Sequence, residues 1–162
     1  MSCEFIEDKP GEECGVFGIY SREREDISTL IYLGIHALQH RGQESAGIAV
    51  NSDGLEVYKD TGLVDTVFNK ERIDALKGNA GIGHVRYSTT GSSKRVNAQP
   101  LLIKSSRGSL SLAHNGNLVN SLDLRLFLEK NGSIFHSSLD TEVIAHLIAR
   151  SPNSDIEDAL SD

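Results

Sequence analysis

The stretch CGVFGIY, residues 14–20, is short, apolar and β-compatible, and the chain turns polar immediately after it in SREREDIS. A brief apolar run bounded by polar residues reads as a buried strand. Downstream of it, Ile27, Leu30, Ile31, Gly34, Ile35 and Leu38 recur at helical spacing, followed by His40, Arg41 and Gly42. Asp26 or Ser28 is available as N-cap, and Gly42 as a left-handed terminator. SAGIAVNS and LEVYKD are two strand-like runs joined at Ser52-Asp53-Gly54, and Asp-Gly between such runs signals a hairpin.

The second half continues the pattern. A helix is expected over residues 64–76, then the strand AGIGHVRYST, then LLIKS and SLSLAHNG around an Arg107-Gly108 turn. Leu122, Leu126 and Leu128 mark a helix closing at Asn131-Gly132, and Val143, Ile144, Leu147 and Ile148 mark another beginning at Asp140 or Thr141. Strands dominate early and helices flank them, so the expected class is α+β, with antiparallel sheets covered by helices. Asn153-Ser154-Asp155 reads as a cap before Ile156, Ala159 and Leu160, after which the chain stops without a C-cap. This pattern reads as a domain truncated at its C-terminus.

With 162 residues the chain has the length of one domain. Fifteen glycines against three prolines suit strands joined by tight turns rather than a linker. A net charge of −7 argues against a nucleic-acid surface. No apolar run approaches the ~20 residues of a membrane span. Residues 1–13 carry Glu4, Glu7, Asp8, Glu12 and Glu13 against Lys9, the reverse of a signal peptide, so the expected location is the cytoplasm. The two cysteines, Cys3 and Cys14, have no CxxC spacing, which argues against a thiolate zinc site.

Taken alone, Cys14 reads as a small buried apolar residue in a strand. Its neighbourhood argues otherwise. Four polar-glycine clusters interrupt apolar strands with groups that packing does not require: CGVFG at 14–18, QHRGQESAG at 39–47, GHVRYSTTG at 83–91 and AHNGN at 113–117. Asp140, in SSLDTE, is a fifth candidate. Glycines beside Asn and His suggest backbone N–H groups held open toward a ligand. Arg86 lies in an otherwise apolar strand, where an unpaired cation is costly, so it requires an anion from the protein or from a ligand.

The segments ECGVFGIY, LQHRGQESAGIAV, GIGHVRYSTTG, NAQPLL, LAHNGNLVN and DTEVIAHLI together resemble the amidophosphoribosyltransferase family, glutamine-dependent enzymes that open purine synthesis. The resemblance runs from about Glu13 to Arg150. It implies a class II glutamine amidotransferase (glutaminase) domain at 14–162, incomplete, with no phosphoribosyltransferase domain. The implied fold is the N-terminal-nucleophile hydrolase type, a four-layer αββα sandwich of antiparallel sheets. It implies removal of residues 1–13 as a propeptide by cleavage between Glu13 and Cys14, leaving Cys14 with a free α-amine. An α-amine and a thiol ionise within about one unit of each other, so the amine is matched to take the thiol proton as a base.

Further roles follow from the resemblance. Asn115 and Gly116 match the oxyanion hole, with a hairpin turn as the plainer reading of Asn-Gly. Arg86 matches the partner of the glutamine α-carboxylate, against an ordinary salt bridge. Asp140 matches the acceptor of the α-ammonium, against a helix N-cap. Thr89 and Tyr87 are placed near the substrate, and Arg41 behind the nucleophile. The implied partners are glutamine here and phosphoribosyl pyrophosphate through the absent domain, in a homo-oligomer when full length. Magnesium, and in some members a 4Fe–4S cluster, belongs to the absent portion, since two cysteines cannot supply four thiolates; no cofactor is expected in this segment. The alternatives are a glucosamine-6-phosphate synthase type of glutaminase and an unprocessed, non-catalytic glutamine-binding module. A metal hydrolase using His84, His114 and Asp140 lacks HxH or HExxH spacing.

Overall fold

The computed structural model describes residues 14–24, 26–87, 94–106, 108–153 and 155–161. The proposed propeptide, Glu13 and Thr89 lie outside them. The elements run β1 (Gly15–Tyr20), α1 (Ser28–Ala37), β2 (Ser45–Asn51), β3 (Leu55–Thr61), α2 (Val64–Val67), α3 (Lys70–Ala75), β4 (Ala80–Arg86), β5 (Leu101–Ser105), β6 (Gly108–Leu112), α4 (Ser121–Lys130), α5 (Asp140–Arg150) and α6 (Ile156–Ser161). Short 3₁₀ turns occupy Gln39–Arg41 and Arg95–Asn97.

Four strands form one antiparallel sheet in the order β1-β4-β2-β3, and β5 and β6 pair separately. The CGVFGIY strand is thus an edge, and the GIGHVR strand is central. Ile31 and Ile35 of α1 are fully buried with Ala46, Ile48, Val50 and Val85 on one sheet face, closed by Val64, Val67, Phe68 and Leu76. Each large side chain buried this way contributes about 1.5–3 kcal/mol. The helix rests directly on the β4 backbone, because a Cβ on Gly83 would stand 2.5 Å from Ile31 and 2.6 Å from Ile35. The other face looks toward β5–β6, on which α5 packs, with α4 beside α5. A cleft of about 540 Å³ between the sheets is lined by Gly18, Tyr20, Ala49, Ile82 and Leu110. The order of layers is therefore α1–α3, first sheet, second sheet, α4–α5.

Several local expectations need correction. The helix expected over 64–76 is two helices, because Phe68 leaves helical geometry to lie edge-on against Tyr58, ring centroids 5.7 Å apart. Asn69 then starts α3, its side chain accepting the Arg72 N–H at 2.9 Å. Neither Asp26 nor Ser28 caps α1. Asp26 pairs with Arg24 at 2.9 Å, and the Ser28 hydroxyl donates to the Ile73 carbonyl at 3.0 Å. Gly42 is extended, at φ −155° and ψ 124°, rather than left-handed. Glycine is required there by crowding, since a Cβ would lie 2.7 Å from main-chain carbons of Val85 and Arg86. The Gly132 terminator of α4 does adopt positive φ, 86°.

Candidate active site

Cys14 immediately precedes β1 and is half-buried beside the end of β4. Its Sγ donates to the Tyr87 carbonyl at 3.5 Å, and Arg41 Nε donates to the Cys14 carbonyl at 3.2 Å. Arg41 sits on the 3₁₀ turn after α1, which is itself pinned. Gln39 accepts the Val64 N–H at 2.6 Å through Oε1 and donates to the Gly42 carbonyl through Nε2. The expected placement of Arg41 behind residue 14 is thus a direct hydrogen bond. Tyr87 meets Cys14 through its main chain.

The anion that Arg86 requires is Glu44. Arg86 Nη1 lies 2.8 Å from Glu44 Oε1, with side chains only 10% and 13% exposed, and the Glu44 N–H donates to the Arg86 carbonyl at 3.0 Å. The plainer reading of Arg86 therefore holds as a fact. A buried pair of this kind leaves a costly charge if either partner is removed, and it fixes the guanidinium at the end of β4. Glu44 lies inside the QHRGQESAG cluster but was not singled out, because nothing in the sequence tells which anion an arginine meets.

AHNGN does not close a hairpin: it links β6 to α4, with Asn115 and Gly116 exposed. The link is tethered at both ends. At its start, His84 Nε2 lies 3.3 Å from the His114 carbonyl. At its end, the Leu118 N–H donates to Asp140 Oδ2 at 2.8 Å. Asp140 opens α5, and its Oδ1 accepts the Thr141 N–H at 2.8 Å and lies 3.7 Å from His114 Nδ1. Asp140 is therefore not the N-cap: that position is Leu139, which makes no side-chain cap, and the Asp140 carboxylate instead holds the next residue and the loop. His84 and His114 do not converge on Asp140 as a metal cradle, because His84 turns its Nε2 to a carbonyl.

His84 is fully buried, and burial pushes its pKa down to about 4. Its bond to the His114 carbonyl opposes that shift, while the charges of Arg86, His114 and Lys59 add to it. The imidazole is neutral at physiological pH, so Nε2 carries the proton it donates. Its Nδ1 has no hydrogen-bond partner. Lys59, facing the same interlayer, donates to the Ala98 carbonyl at 2.6 Å, and burial beside Arg95 lowers its pKa to about 8. No helix among the described residues is long and apolar enough to cross a membrane.

Cys14 thus meets Arg41 and Tyr87 where β1 adjoins the end of β4, Arg86 pairs there with Glu44, and the loop carrying Asn115 and Gly116 is held between His84 and Asp140. Comparison with known proteins gives this arrangement a context. Residues 71–159 match the model of a glutamine amidotransferase domain. The chain is 57% identical over 139 residues to the amidophosphoribosyltransferase of Methanocaldococcus jannaschii, covering 85% of this chain and 29% of that protein. It is 50% identical over 151 residues to the Bacillus subtilis enzyme of the same name, covering 92% and 31%. Among solved structures, glutamine phosphoribosylpyrophosphate amidotransferase from B. subtilis, complexed with ADP and GMP, superposes with a TM-score of 0.81 at 48% identity, covering 90% and 31%. A structure described as the allosteric regulatory enzyme of purine biosynthesis gives 0.84 at the same identity and coverage. The chain thus spans about three tenths of these relatives' length, and it shares their N-terminal-nucleophile hydrolase fold of helices and antiparallel sheets. It belongs to the glutamine amidotransferase domain family and corresponds to the N-terminal region of amidophosphoribosyltransferases.

Proposed function

We propose that this chain hydrolyses glutamine to glutamate and ammonia, with Cys14 as nucleophile once residues 1–13 have been removed. The observation that carries the reading is the grip on residue 14. Its carbonyl is held by Arg41 and its thiol rests on Tyr87, beside Arg86 and across β4 from the tethered 114–118 loop. A nucleophile whose main chain is fixed in this way meets the positional demand of catalysis.

In the proposed sequence the free α-amine of Cys14 accepts the thiol proton, directly or through water. The thiolate attacks the glutamine side-chain carbonyl carbon, and the C=O electron pair moves onto oxygen. The Asn115 side-chain amide and the Gly116 N–H stabilise that oxyanion, a contribution of about 10²–10³ in rate for one donor. Collapse breaks the C–N bond, and the amine returns its proton to the departing ammonia. Water then hydrolyses the γ-glutamyl thioester, releasing glutamate and regenerating the thiol. Arg86 receives the substrate α-carboxylate and Asp140 its α-ammonium, with Tyr87 and Thr89 near the substrate. In the longer protein the ammonia passes to phosphoribosyl pyrophosphate, the step that opens purine synthesis.

Intact mass and a glutamine-like electrophilic label test this together. The expected result is a mass lacking residues 1–13 and stoichiometric modification at Cys14. Retention of Met1–Glu13 in an active protein, or labelling at another residue, would refute it.

A further inference from the structure

We infer that Gln99 is a positioning residue for the loop that carries Asn115 and Gly116; the inference rests on the oxyanion role just proposed for them. Gln99 is 4% exposed, and its whole side-chain amide is committed to one residue. Oε1 accepts the His114 N–H at 2.7 Å, and Nε2 donates to the His114 carbonyl at 3.3 Å. The β5–β6 ladder pairs Leu101 with Leu112 as its last step toward this end. Continuing the register would place Pro100 opposite Ala113 and Gln99 opposite His114. Pro100 has no N–H to donate, so the backbone ladder stops there. The Gln99 side chain makes the two reciprocal bonds that a strand partner would have made. It carries the pairing two residues past Leu112, to the position just before Asn115.

The clamp is itself anchored. The Gln99 main chain lies against the central sheet so closely that a Cβ on Gly47 would stand 2.2 Å from the Gln99 carbonyl oxygen. Gly47 pairs with His84, which reaches the same His114 carbonyl at 3.3 Å. On the other side, Lys59 donates to the Ala98 carbonyl at 2.6 Å. The next tether is the Leu118 N–H on Asp140, at 2.8 Å. Asn115, Gly116 and Asn117 therefore span a short bridge whose near abutment is set by Gln99. An oxyanion hole works only if its donors are placed before the charge develops. A misplacement of about 1 Å costs on the order of 10²-fold.

The test measures glutamate release, with kcat and KM for glutamine resolved, by protein carrying Cys14 at its N-terminus. The variants are Q99M, Q99E, N115A and the double variant Q99M/N115A. Q99M removes both bonds at similar volume, and the expected result is a kcat lower by about 10²-fold with KM within about threefold. Because Gln99 acts through Asn115 and Gly116, Q99M in the N115A background should cost only a few-fold more. Q99E keeps the acceptor for the His114 N–H and loses the donor; it should also lower kcat, and it carries the test if Q99M does not fold. Unchanged kcat in the folded variant, or the same fold-loss in both backgrounds, would overturn the inference. If N115A itself keeps wild-type kcat, the oxyanion reading fails first, and the role of Gln99 falls with it.

Discussion

Replacing His84 by Gln should remove most of the protein's acid sensitivity between pH 6.5 and 5. An exposed histidine ionises near 6.5, whereas burial and neighbouring cations hold His84 near 4. Between those values the unfolded chain binds a proton that the folded chain refuses. Stability then rises with pH, and it falls as the solution is acidified through 6.5 toward 4. Each pH unit across that gap is worth about 1.4 kcal/mol, giving a loss of roughly 2 kcal/mol by pH 5 and about 3 kcal/mol by pH 4. Against a total stability on the order of 5–15 kcal/mol the effect is measurable. The lower part of the range is confounded by Glu142, whose carboxyl is held below its ordinary value: burial pushes it up, but bonds from Ser137 and His136 outweigh that. The cleaner window is therefore pH 7 to 5. Urea unfolding of wild type and His84→Gln at four pH values gives the comparison. Glutamine at position 84 keeps a donor for the His114 carbonyl but cannot titrate. Parallel stability curves for the two proteins over pH 7 to 5 would show that the wild-type slope has another source, and would refute the argument.

Other perturbations address different parts of the fold. Gly47→Ala forces a methyl to within 2.2 Å of the Gln99 carbonyl oxygen, backbone against backbone, so a loss of about 3 kcal/mol or more is expected in thermal melts. Glu142→Ala should cost roughly 2–3 kcal/mol by calorimetry, because the His136 and Ser137 N–H groups and the Ser137 hydroxyl all donate to its carboxylate. Asp140→Asn keeps an acceptor for the Leu118 or Thr141 N–H but lacks the charge. Melting should shift little, while kcat/KM for glutamine falls about 10-fold or more. A glutamine analogue without its α-amine should be hydrolysed equally by variant and wild type; equal loss on both substrates would sink the ammonium-binding role.

The readable parts of the sequence were those governed by local chemistry. Ser52-Asp53-Gly54 closed a hairpin and Gly132 ended α4, because turn residues act within four positions; Arg107, of the turn expected before β6, lies outside the described residues. The missed parts were decided at long range. Ser28 spends its hydroxyl on Ile73, 45 residues away, instead of capping its own helix. Phe68 breaks a continuous helical pattern because Tyr58 offers its ring a partner. In the site, Arg86 announced its need for an anion, but only the pairing of β2 with β4 brings Glu44 to it. Gln99 sat unnoticed in NAQPLL, since a side chain standing in for a strand has no sequence pattern.

The strand period explains how a site can hide in segments that read as core. Along β4, Gly83 and Val85 face α1, while His84 and Arg86 face the second sheet. Their neighbours on β2 divide the same way: Ala46, Ile48 and Val50 join the helix-side core, and Ser45 and Gly47 pair with Arg86 and His84. One row across the inner face is thus Arg86–Ser45, and the next is His84–Gly47. A sheet face of this polarity would be unfavourable if it were filled with apolar side chains. It is filled instead by Gln99, by the His114 main chain and by the Lys59 amine, each satisfying a particular bond. A shift of β4 by one residue would turn Arg86 and His84 into the helix core and send Val85 to the loop. The register that buries Ile31 and Ile35 on glycine is therefore the same register that sets Arg86 beside Cys14 and His84 beneath the 114–118 loop. Stability and the proposed chemistry are read from opposite faces of one strand.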